Sequence, residues 1–229
     1  MRALYTWITA FTILTTTLYL PLYDAQQDAN FTSIPITYVE GRRPADDLIM
    51  ASDLSIPAHE SYHSFQTDKF CTCRSACWAS YQCRASSLQQ VDRVSFCRLS
   101  STPVRQTPLQ KTPNAIYIIK TERIEHYFYG IGDDGLLYLA PKPPLPQSDV
   151  LNSCQKIPGH RLAKPKTDTQ KMAMLKISRD IMNGTRMRVY DMNDNLVMMK
   201  DGEIMASTDS TVTEPTPFLC QANPHNLNW

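Results

Sequence analysis

The chain has 229 residues, 42% of them apolar and 20% charged, so one large or two small domains with genuine cores is the expectation. Its 23 basic and 22 acidic residues leave a net charge of +1, without the clustered positive excess that nucleic acid requires. Seven glycines against sixteen prolines speak for extended connections and against glycine-rich phosphate loops.

In chain order, Met1-Arg2 is followed by an uncharged run from Ala3 to Leu22 that ends before Asp24. This reads as a secretory signal peptide over residues 1–25, cut after Ala25. The same run, about 20 residues, is long enough for an uncleaved membrane anchor, which is the alternative reading. Residues 26–52 form a polar lead in which Ile34, Ile36 and Val39 are spaced as a short strand. Glycosylation sequons begin at Asn30 and Asn183, which agrees with secretion.

His59-Glu60-Ser61-Tyr62-His63 matches the His-Glu-x-x-His pattern, which on a helix places two imidazoles four apart with Glu60 as general base. Pro57 lies just before it, and Gln66 and Lys69 stand where one subclass has further glycine and histidine. A zinc-dependent hydrolase using His59, Glu60 and His63 is therefore only the second alternative to a binding role. An exposed polar turn is the expected structure.

Five cysteines follow, at 71, 73, 77, 83 and 97, and two more stand at 154 and 220. In a secreted chain such clusters form disulfides. A helix would carry Cys73 and Cys77 on one face. Nested bridges, Cys77 to Cys83 and Cys73 to Cys97, would then staple it to a small sheet. Counting alone also allows Cys71 in place of Cys73. Cys71 is the expected unpaired residue and would permit a disulfide-linked dimer. Trp78 is expected to pack over the bridges.

Residues 102–114 are rich in Pro, Thr and Gln and read as an extended linker. Residues 115–119 (AIYII) predict a strand. Residues 126–129 and 136–139 flank Gly130-Ile131-Gly132-Asp133-Asp134-Gly135, a hairpin signal. Residues 149–154 predict a short helix. Thr167 to Gln170 supply a capping box for a second helix through Ile181, stopped by Asn183-Gly184. Strands are expected around Met187–Tyr190, 196–199 and 217–220, and the eight methionines from Met172 to Met205 are expected to fill a core.

Cys-x3-Cys-x5-Cys at 73–83, followed by Cys97-Arg98-Leu99 and preceded by Lys69-Phe70, resembles the centre of PAN/apple modules. That resemblance covers roughly residues 56–101 and implies a helix cradled by an antiparallel sheet, in a module that binds proteins or carbohydrates. The outer cysteine pair common in that family is absent, and Cys71 is additional.

Residues 150–154 (VLNSC), then Gly159-His160-Arg161-Leu162-Ala163, Asp201-Gly202 and the closing Pro217-Phe218-Leu219-Cys220, resemble C-type lectin-like domains. This second resemblance implies a bridge between Cys154 and Cys220. Calcium takes about six to eight oxygen ligands. The family's calcium triplet is echoed only by Glu214-Pro215-Thr216, where Thr supplies no amide, so calcium-dependent sugar binding is not expected.

The expected architecture is α+β, with two small disulfide-bonded modules, each a helix or helix pair packed on antiparallel sheet. A PAN/apple-like module over 53–101 and a lectin-like domain over 115–223 are joined by the linker and end in a tail, 224–229. The expected function is secreted, extracellular recognition of a protein or glycan, without catalysis or cofactor. An anchored adhesion or receptor ectodomain is its first alternative.

Overall fold

The computed structural model describes residues 34–201, 203–205 and 214–225. The leader over 1–25 and Asn30 lie outside the described residues. No helix among the described residues is long and apolar enough to cross a membrane.

The first half is built from β1 (Ile36–Val39), β2 (Leu48–Ser55), β3 (His63–Gln66), helix α1 (Phe70–Ala79), β4 (Ala85–Val91), β5 (Val94–Ser100) and β6 (Gln110–Lys120). The strands form one antiparallel sheet in the order β1-β2-β6-β4-β5-β3. Strand alternation divides its side chains between two faces. Leu88, Cys97 and Leu99 meet α1 on one face, where Cys73, Cys77 and the partly buried Trp78 complete a small disulfide core. Ala51, Ala85, Tyr117 and Ile119 point to the other face and join the main core. Asp92 and Arg93 connect β4 to β5 as a two-residue turn, both with positive φ (49° and 70°), as the twist of paired strands demands.

The second half begins with the hairpin β7 (His126–Ile131) and β8 (Leu137–Pro141), followed by α2 (Gln147–Gln155) and β9 (His160–Leu162). The Asp134 carboxylate closes the hairpin turn, accepting from Leu136 N at 3.2 Å and Tyr138 Oη at 2.7 Å. Helix α3 (Asp168–Lys176) runs into a π-helical turn over Ile177–Ile181. The strands β10 (Met187–Tyr190), β11 (Leu196–Lys200) and β12 (Glu203–Met205) form an antiparallel meander. The short β13 (Cys220–Ala222) inserts between β8 and β9, giving a sheet of order β7-β8-β13-β9.

Every residue of β8 is buried. Leu137 and Leu139 belong to the main core shared with the first sheet, while Leu136, Tyr138 and Ala140 face α3 and the meander. A strand covered on both faces loses polar alternation, which explains the run Leu136-Leu137-Tyr138-Leu139. The main core joins Ile36, Ile49 and Tyr117 of the first sheet to Leu139, Val150 and Phe218 of the second half.

The α+β class holds, with antiparallel sheets, three α-helices and three disulfides among the described residues. The boundaries differ from those expected. The polar lead contributes β1 and the start of β2. Residues 102–114 are not a free linker: Val104 and Leu109 are buried, and β6 begins at Gln110. The first sheet therefore reaches Lys120, and its core is continuous with that of the second half. The reason lies in the pattern. Gln110 and Lys111 pair only with β2 and residues 112–114 lie at the irregularity opposite Asp53, so the segment keeps polar side chains and hides the strand it belongs to. The last strand also sits later than expected, at 220–222, with Thr216 and Phe218 making single bridges to Leu145 and Arg188.

Candidate functional site

A pocket of about 570 Å³ opens where the two halves meet. Its floor comes from the segment expected to be a linker. Gln106 N and Thr107 N both donate to Pro103 O, at 2.8 and 2.9 Å, winding one helical turn. Val104 anchors that turn in the core, and its neighbour Arg105 is thereby turned towards α2. Arg105 Nη1 donates to Lys142 O at 2.8 Å and Nη2 donates to Ser153 Oγ. Its guanidinium carbon lies 5.8 Å from the centroid of the Phe218 ring. Burial lowers its pKa from the ordinary arginine value, and Glu125 opposes that shift. The position of Ser153 is set by its neighbour Cys154, whose bridge to Cys220 ties α2 to β13.

Four more cations line the same opening: Arg84, Arg123, Lys142 and Lys156. Arg84 follows the Cys77–Cys83 bridge, and its backbone N–H donates to Ser100 O at 2.8 Å. Arg123 ends the 3-10 turn Thr121–Arg123 and donates from Nη1 to Tyr81 O at 3.1 Å. Lys142 Nζ lies 4.6 Å from the centroid of the Tyr127 ring. Two acids, Glu125 and Asp149, share the lining. Five bases against two acids make a local positive excess in a chain of nearly balanced charge. Two exposed tyrosines stand beside it: Tyr81 is 86% exposed and Tyr127 45%. The arrangement can hold anionic oxygens by charge-assisted hydrogen bonds.

A second hollow, beside Cys71, is lined by Lys69, Arg93 and Asp68 with small polar residues. It has no comparable excess of charge.

The other sequence-derived residues fall as follows. Cys73 is bonded to Cys97, Cys77 to Cys83 and Cys154 to Cys220, with Cα separations of 5.4, 5.3 and 5.5 Å. Cys71, in the first turn of α1, is exposed and free. Asn183 is exposed at the end of the π-helical turn, in the left-handed region at φ 47°. His59 and Glu60 lie on a 3-10 turn and His63 on the edge strand β3, so the two imidazoles do not share a helix face. Thr216 Oγ1 turns back to Glu214 O at 3.1 Å. No group of three His, Cys, Asp or Glu positioned to hold a metal occurs among the described residues.

A separate buried cluster joins β1, β7 and β9. Pro158 O can only accept, so His160 Nδ1 donates to it at 3.0 Å and Nε2 accepts from Tyr129 Oη at 3.1 Å. Burial pushes the pKa of His160 down to about 4, against a smaller opposing effect of Pro158 O. The same burial raises Tyr129 well above the ordinary tyrosine range, and Tyr38 beside it donates to Asp47. Both groups are neutral at physiological pH, and Tyr129 meets Tyr38 of the first half with ring centroids 6.4 Å apart.

Sequence reasoning did not find the pocket. Its cations are scattered from Arg84 to Lys156 with no run or motif, and only the fold assembles them. Comparison with known proteins finds no matching family model, no matching curated protein and no matching solved structure.

Proposed function

We propose that the chain is an extracellular recognition protein that binds a protein or glycan ligand, without catalysis and independently of calcium. The observation that carries the reading is the basic pocket at the junction of the halves. Ligand sites are concave, few, and built from a small number of convergent polar groups on a rigid frame. Here the frame is rigid for physical reasons: a bridge stands beside Arg84, another beside Ser153, and Val104 is sunk in the core. Three bridges in the fold favour an oxidising compartment, as does the leader-like N-terminus. The PAN/apple-like and lectin-like resemblances point the same way, since both kinds of module serve recognition.

The test is a screen of the full secreted chain on glycan and extracellular-protein arrays, with and without a chelator. Chelator-insensitive binding on one array is the expected result. Silence on both arrays, or binding abolished by the chelator, overturns the reading.

A further inference from the structure

We infer that the pocket between the halves takes an anionic glycan, held through the sulfate or carboxylate groups of its sugars. The inference rests on the recognition reading above and deepens it.

Charge comes first. The excess of cations is concentrated in one concavity of a chain whose total charge is +1, so it is a local feature and not a general basic surface. Arginine presents a planar fork that matches sulfate and carboxylate oxygens in pairs, and lysine adds a mobile point charge. Arg105 is already committed to Lys142 O and Ser153 Oγ and forms the positive floor. Lys142 and Lys156 are exposed and Arg84 half-buried, so all three can reach a ligand in the opening.

The remaining lining separates a glycan from an acidic peptide. Many peptides are captured by an open strand edge, an apolar groove or a polyproline-binding aromatic groove, and acidic ones by a cluster of arginines. This opening is lined by a helical turn, one side of α2 and the Lys142–Leu145 connection, and ten of its fifteen lining residues are polar or charged. Gln106 and Asn152 offer amides, while Glu125 and Asp149 offer acceptors. The negative charge of these two carboxylates opposes any anion, peptide or glycan, but hydroxyls, which a glycan carries on every ring and an acidic side chain lacks, can donate to them. A molecule rich in both hydroxyls and anionic groups uses the whole set. Tyr127, whose ring centroid lies 4.6 Å from Lys142 Nζ, adds an exposed flat ring beside the opening, suited to the apolar face of a sugar.

The test is calorimetric titration of the full chain with three probes: a sulfated, uronate-containing tetrasaccharide, its desulfated counterpart, and hexaglutamate. The sulfated probe is expected to bind, with affinity falling as salt rises. An unaltered affinity for the desulfated probe assigns the contact to carboxylate, and its loss assigns it to sulfate. The double substitution Arg84→Gln/Lys156→Gln is expected to weaken glycan binding about tenfold or more. Arg42→Gln/Arg43→Gln, an equal charge change outside the pocket lining, is expected to leave it unchanged. The salt dependence of the unsubstituted chain provides the same reading should the pocket variant not fold. Salt-sensitive binding of hexaglutamate, with neither tetrasaccharide bound, overturns the glycan assignment and leaves recognition standing. Binding of no probe, or glycan binding indifferent to both salt and the pocket substitution, also overturns it. Chelator-insensitive array binding to a neutral glycan or a protein would then keep the broader reading alive.

Discussion

At the scale of single residues, three positions carry consequences that measurement can check. Gly159 links α2 to β9 with φ +75°, and a β-carbon there would meet Ile36 Cγ2 at 2.6 Å. Gly159→Ala thus combines backbone strain with a clash against β1, and urea denaturation should show a loss of about 2 kcal/mol. Arg93 holds φ 70° in the β4–β5 turn, where a residue without a β-carbon carries no penalty. Arg93→Gly should raise stability by about 0.5–1 kcal/mol, despite the entropy cost of glycine. His160 sets a pH dependence. Its folded pKa of about 4 lies below the ordinary 6.5, so between these values the unfolded chain binds a proton that the folded ring refuses. The stability it lends is fully present above pH 6.5 and is lost as pH falls through about 4. Over that window the loss should be on the order of 3 kcal/mol. Denaturation curves for the natural chain and His160→Phe should differ by that slope; parallel profiles would show that His160 titrates normally.

Among the elements, those with strong local signals were legible and those defined by their neighbours were not. Thr167 announced α3, and its Oγ1 does accept from Gln170 N at 3.2 Å. The Gln170 side chain, however, caps Lys166 N instead of closing the box on Thr167. Asn183-Gly184 ends the π-helical turn through two positive φ angles. Of the methionines, Met174, Met182, Met187 and Met199 enter the second core, while Met172 and Met192 stay exposed. The extent of β6 escaped because Gln110, Lys111 and Asn114 are the residues of an outer, half-solvated strand segment. Cysteine spacing was informative because two of the bridges are local. The bridges also differ in what they constrain. Their sequence separations are 66 for Cys154–Cys220, 24 for Cys73–Cys97 and 6 for Cys77–Cys83. Loop-closure entropy gives about 4, 3 and 2 kcal/mol respectively. Paired Cys→Ala substitutions should lower the unfolding free energy in that order, and the reverse order would mean that native packing around the bridges dominates.

For the whole molecule, the decisive fact is that the two halves share a core. Tyr38 and Tyr129 bring their rings within 6.4 Å across the junction, and Arg105 crosses it to α2. Neither the junction nor the pocket was legible, since both depend on contacts between residues far apart in the chain. The expected module over 53–101 lacks β1, most of β2 and β6. A fragment spanning 34–101 restores β1 and β2 but still lacks β6, the strand that joins β2 to β4, so it should give no cooperative unfolding transition by calorimetry, whereas the intact chain should unfold in one main step. A sharp transition in the fragment would restore the independent module. The placement of β13 has a further consequence, for the order of events during synthesis. Because β13 separates β8 from β9, the second sheet holds an open slot until residues 220–222 leave the ribosome. The bridges of α1 can close long before then, but Cys154 has to wait. The nascent chain therefore crosses a stage with two thiols, Cys71 and Cys154, of which only the second pairs within the chain.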